Sequence, residues 1–185
     1  MNTKTLLFMM VFGMALAMIG CNNPKGGKAI TVNSITGDTA DVDTTIYGTC
    51  GEGTAMHTLE LLCDDGKTRV FMFNPDDSIS PVYGGMLVGD RMAVIAHVEY
   101  GDTIASKVIN LTTLLGEWTS IDKQFEIKEG GVVDSHVETE TNPWTSWKIH
   151  NGRLLFNKDT FDIVELGADS MYIENNNGVF AYKRK

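Results

Sequence analysis

Positive charge, proline, cysteine and long apolar helices are all scarce in this chain. Its 15 Lys and Arg stand against 24 Asp and Glu, a formal net charge of −9. With no basic stripe to displace counterions from phosphates, nucleic acid is excluded as a partner. Three cysteines are too few for a disulfide scaffold. Beyond the first 20 residues no apolar pattern keeps a 3.6-residue period over any length, which argues against a helical protein. A phosphate-cradling Gly loop, a nucleophile elbow and a Ser–His–acid set are all missing. The expectation is a non-catalytic protein with no cofactor and no resident metal.

What is present begins with the first 21 residues. Lys4 supplies a positive start, Leu6 to Ile19 is an unbroken apolar run, and Gly20-Cys21 closes it. At ~1.5 Å per residue the run falls short of a ~30 Å hydrocarbon core, so it reads as an export leader rather than a membrane span. Met18-Ile19-Gly20 before Cys21 resembles the bacterial lipobox. That resemblance implies lipidation of Cys21: a thioether-linked diacylglycerol and an amide-linked fatty acid such as palmitate. Residues 1–20 are then a lipoprotein signal peptide and 21–28 a lipidated tether, with membrane contact through the N-terminal lipid. Lys25 and Lys28 in the tether are read as solubilising. After the Cys comes Asn22-Asn23-Pro24-Lys25, where a surface-export signal would resemble a run of acids. A periplasm-facing anchor in the bacterial cell envelope is expected.

The remaining chain is long enough for one medium domain or two small ones. Short alternating segments recur along it, bounded by Gly, Asp or Asn: 57–63, 68–73, 82–88, 91–100 and 103–110. Such spacing predicts antiparallel strands, and Gly84-Gly85 within one of them predicts a bulge or a tightly coiled corner. Residues 29–111 are read as an OB-like barrel. Past a boundary near Asn110 to Thr113, further strands are predicted at 125–129, 132–138, 144–150, 153–157, 160–166, 170–174 and 178–184. Asn151-Gly152 is a strong hairpin signal between two of them. The fold class expected is all-β, with two small antiparallel barrels, the second an up-and-down meander over 112–185.

Leu114-Leu115-Gly116-Glu117-Trp118 matches an L-x-G-x-W start. Trp147-Lys148-Ile149 leads into Asn151-Gly152-Arg153-Leu154, and the final strand ends Tyr182-Lys183-Arg184. On these residues the second half resembles the lipocalin-like domains of small lipoproteins of Bacteroidales-type bacteria. The resemblance implies that Trp118 closes the barrel base with Arg184 packed across its ring, and that the protein binds a small hydrophobic ligand or an envelope protein partner. A structural subunit of an envelope complex with no ligand is the alternative. An interior filled by side chains would exclude binding inside the second barrel.

Other residues are weaker candidates. His57 alternates in phase with Leu59 and Leu61, so it is expected to face the core. His97 and Glu99 make half of a metal site with no third ligand at close spacing. Asp38, Asp41 and Asp43 lack the spacing of a calcium loop and read as an acidic linker. Cys50 and Cys63 are expected as two separate buried thiols, because a short hairpin after Cys50 would carry Cys63 to its far end. Trp144 and Trp147, three apart on one predicted strand, are expected on opposite faces and unequally buried. Asp-Ser/Thr pairs recur at Thr39, Thr44, Ser78, Thr103 and Ser170. They are similar to O-glycosylation acceptors of exported Bacteroidales-type proteins, and they are equally good turn formers.

Overall fold

Two-residue alternation of apolar and polar side chains puts one face of each strand against a core and leaves the other to water. The computed structural model describes residues 42–74, 79–137 and 141–185, which are nearly all β with one short helix. Cys21, Thr39, Ser78, Asp38 and Asp41 lie outside the described residues, as do residues 1–28, expected from the sequence to be a leader and a tether.

The first barrel uses β1 (Ile46–Cys50), β2 (Thr58–Cys63), β3 (Thr68–Met72), β4 (Val82–Tyr83), β5 (Arg91–Glu99) and β6 (Asp102–Asn110). The sheet order is β3-β2-β1-β5-β6-β4, and a parallel contact at Met72 and Ile104 joins β3 to β6. That contact closes β1, β2, β3, β6 and β5 into a five-stranded barrel of the OB type. Its core holds Leu59, Leu61, Phe71, Phe73, Met92, Val94, Ala105, Val108 and both thiols.

Two local expectations are corrected here. The strand expected over 82–88 stops after Tyr83, because Gly84 and Gly85 take φ of +92° and +75°. A Cβ on Gly84 would sit 2.9 Å from Asn110 Cβ and 3.1 Å from Leu166 Cδ2, so only glycine suits the point where the two barrels meet. The connection after Cys50 is longer than a tight hairpin. It runs to Thr58, so Cys50 opposes Leu61 and Cys63 opposes Gly48. Both thiols are free and buried. Cys50 Sγ lies 3.3 Å from Thr54 Oγ1, and burial pushes the Cys63 thiol's pKa up.

Asn110, a buried polar residue, organises the passage between barrels. Its Oδ1 accepts from Thr113 N (2.9 Å), starting the helix α1 (Leu111–Leu114). Its Nδ2 donates to Asp90 Oδ2 (2.6 Å) and Gly85 O (3.2 Å).

The second barrel follows with β7 (Gly116–Thr119), β8 (Gln124–Lys128), β9 (Val132–Ser135), β10 (Trp147–His150), β11 (Arg153–Phe156), β12 (Asp159–Leu166), β13 (Ser170–Asn175) and β14 (Gly178–Arg184). Each strand pairs antiparallel with its chain neighbour except across β9 and β10, and β14 returns to β7. An isolated bridge between Val132 and Ser146, with Val133 N donating to Thr145 O at 3.1 Å, draws the remaining gap together. The result is a nearly closed eight-stranded up-and-down barrel.

Its interior is filled with aromatic rings. Trp144 stacks on Phe156 at 4.3 Å, while Phe125 meets Trp144 and Tyr182 edge-on at 5.1 Å each. Trp144 lies ahead of β10 rather than on it, so the opposite-face argument for the two tryptophans fails. Trp144 is nonetheless buried and Trp147 half-buried, because the segment before β10 folds Trp144 inward. His57 is corrected too: it precedes β2 and is exposed.

Candidate functional site

Strand length decides where the second barrel is open. β7 has four residues and turns away at Ser120, whose N–H donates to Lys123 O at 2.7 Å. β14 has seven residues, and its register with β7 covers only Lys183 opposite Thr119 and Arg184 opposite Trp118.

That short seam is firmly latched. Trp118 is fully buried and donates from Nε1 to Leu114 O at 2.9 Å. The Arg184 guanidinium lies over the indole ring, 4.2 Å from its centroid. Arg184 also donates to Ala168 O at 2.5 Å, to Leu115 O at 2.7 Å and to Thr113 O. Burial lowers the guanidinium's pKa from its ordinary value, and the nearby Asp169 charge works against that shift. Gly116 has φ +118°, and a Cβ there would stand 2.6 Å from Arg184 Nη1. The Gly of the L-x-G-x-W start is thus required by the same cation that covers the Trp.

Beyond the latch the wall opens into a slot of about 570 Å³. Arg184 N donates toward β13, to Asp169 O at 2.9 Å, and Lys185 N donates toward β7, to Glu117 O at 3.1 Å. Strand alternation then turns the backbone groups of Lys183, Ala181 and Val179 toward the β7 side. Ala181 and Val179 lie past the last residue that β7 pairs. Ile121, Tyr172 and Val179 give the slot exposed apolar surface, with Asp122 and Lys183 also on its lining. Among the described residues no strand pairs with this edge, and such an edge beside apolar side chains can take an extended segment by main-chain hydrogen bonding.

No family model, curated protein or solved structure matches this chain.

The first barrel has a second exposed feature. Leu62, Val70 and Met72 all point outward, the register setting Leu62 opposite Thr68 and Val70 opposite Glu60. Met72 also pairs with Ile104 on β6, so an apolar stripe crosses three strands of the face that OB barrels use for ligands.

The other sequence candidates fall elsewhere. Thr44 is exposed, and both its N–H and its hydroxyl donate to Asn151 Oδ1, at 2.8 and 2.9 Å. Thr103 and Ser170 are half-buried at or next to the first residue of β6 and β13, a turn-forming location. His97 Nε2 is 3.6 Å from Glu99 Oε2 in an exposed pair. Asp43 accepts from Thr45 and from Asn151 N and faces His150 at 3.6 Å. Burial opposes its ionisation, yet those bonds hold its carboxyl below its ordinary pKa. It is a strut between the start of β1 and the β10–β11 turn.

The slot residues went unnoticed in the sequence. The signal that could have found them is the length mismatch between the segment opening at Gly116 and the one running from Gly178 to Arg184.

Proposed function

We propose that this protein is a non-catalytic lipoprotein of the bacterial envelope, anchored through Cys21 and facing the periplasm, whose second barrel binds an extended segment of a partner protein. The observation that carries the reading is the slot beside β14, where Val179 and Ala181 offer backbone groups beyond the end of β7. The aromatic filling of the barrel interior supports binding at the wall rather than inside. A small hydrophobic ligand is the second reading, favoured by the apolar lining at Ile121, Tyr172 and Val179 and by a volume in the usual range for small-molecule sites. An anchor of two or more acyl chains gives stable membrane residence, so Cys21→Ala should release the protein from the membrane fraction.

Photo-crosslinking in the native host tests the binding. A photoreactive residue at Val179 should capture a discrete protein, and one at the exposed Val164 on β12 should not. Ala181→Pro removes an N–H that faces the open edge, where proline is tolerated, so it should abolish the capture while the protein stays folded. A lipid adduct at Val179 would favour the small-ligand reading. Capture that persists in Ala181→Pro would rule out strand addition.

A further inference from the structure

On the outer wall of the second barrel, three neighbouring strands bring acids and an imidazole together. Trp118, Phe125, Ile127 and Val133 point inward, so the alternate residues Glu117, Glu126 and Asp134 point outward. The register sets Glu117 directly opposite Glu126, and Glu126 directly opposite Asp134. His136 continues the line of β9, its N–H donating to Gln124 O at 2.8 Å. One ligand atom each from Glu117, Glu126 and His136 lies within 4.8 Å of the other two.

We infer that Glu117, Glu126 and His136 form a binding site for a first-row divalent metal ion, with zinc as its natural type. Three physical points carry this. Like charges directly opposed across a strand pair destabilise it, so Glu117 against Glu126 gains from a shared cation. Two lysines border the pair. Lys128 Nζ is closest to Asp134, at 2.5 Å, and lies 3.3 Å from Glu126, while Lys185 reaches Glu117 at 3.5 Å. Asp134 holds Lys128 most closely, and the ligand atoms that converge are those of Glu117, Glu126 and His136.

The donor set selects the metal. Zinc binds imidazole nitrogen and carboxylate oxygen at ~2.0–2.2 Å, which brings ligand atoms to within about 4 Å of each other. Separations of up to 4.8 Å require only a small inward shift of two half-buried glutamates and an exposed imidazole. An imidazole suits zinc, copper or nickel, whereas calcium and magnesium sites are built from oxygen alone. Three protein ligands leave a fourth position for water. The ion would tie β7, β8 and the chain leaving β9 to one another on the wall that borders the slot. This inference is independent of what the slot binds.

Equilibrium dialysis of the lipidated full-length protein against zinc tests it. One equivalent should bind, and zinc should raise the melting temperature, since a ligand that prefers the folded state stabilises it. His136→Ala and Glu126→Gln should each weaken binding at least tenfold and remove the thermal shift. His97→Ala, in the separate His97–Glu99 pair, should change neither. Tenfold excess magnesium should not displace the zinc. Binding only at millimolar zinc, binding insensitive to His136→Ala and Glu126→Gln, or binding lost in His97→Ala would each overturn the site.

Discussion

The two barrels reach closure by different means, and their cores differ accordingly. The first has five strands and seals with one parallel contact, Met72 to Ile104; its interior is aliphatic and thiol-rich, with Phe71 and Phe73 as its buried aromatics. The second has eight strands and holds Trp118, Phe125, Trp144, Phe156, Phe161 and Tyr182. Barrel diameter grows with strand number. Five strands leave room for Leu, Val and Cys, whereas eight leave a wider space that takes large aromatic rings among its Leu, Ile and Met side chains. In this protein rings fill it, and the open position moves from the mouth of the barrel to its side.

The contrast is broken most strongly at Trp118. Trp118→Ala should cost about 3–5 kcal/mol, comparable to the whole stability of a small domain, and chemical denaturation of the full chain reads the loss. A variant melting within a degree or two of the parent would show that the Arg184–Trp118 latch does not hold the barrel. Trp144→Ala comes next and should exceed Trp147→Ala, since Trp144 stacks on Phe156 while Trp147 is half-buried with Nε1 bonded to Lys128 O at 2.7 Å. Equal losses at the two sites would contradict the central position given to Trp144. Gly116→Ala should cost about 1–3 kcal/mol by crowding Arg184 at a positive φ, and the fluorescence of Trp118 should change as the guanidinium is displaced.

The smallest effect lies in the first barrel. The bond from Arg91 to Asp64, with Nη1–Oδ1 at 2.6 Å and Nη2–Oδ2 at 2.5 Å, holds the Asp64 carboxyl below its ordinary pKa. A carboxylate whose pKa is lower in the folded state adds stability that is full above its unfolded pKa and fades as pH falls toward the folded one. The contribution should therefore be present at pH 7 and fade below about pH 4. Asp64→Asn should lower stability at pH 7 by no more than about 1 kcal/mol, the scale of an exposed pair. It should also narrow the gap between melting temperatures at pH 7 and pH 3. An unchanged gap would mean that acid acts through other carboxylates, with Asp43 the next to test.

Most of the strand pattern was legible because it rests on period-two alternation and on turn residues, both local properties. β2, β3, β5, β6 and β11 to β14 fall within a residue or so of expectation. The pairing of Trp118 with Arg184 was legible from the resemblance alone, since nothing near either residue announces a contact 66 positions away. What escaped was set by three-dimensional crowding. Gly84 ends its strand because Asn110 and Leu166 approach it, and Trp144 folds inward because the rings of Phe125 and Phe156 are there to receive it. The slot and the outer Glu–Glu–His group depend on register between strands, and no window along the chain displays register.

The seam of β7 and β14 also orders events in time. Arg184 bonds to Leu115, 69 residues earlier, while the hairpins from β10 to β14 join chain neighbours. Contacts that span long loops form late because closing the loop costs entropy before the contact returns anything. The meander can therefore assemble from its later hairpins backward, with β7 held as a free end until the arginine arrives. In refolding followed by tryptophan emission, the Trp118 signal should be the last to reach its native value, which makes that indole a clock for the completion of the barrel.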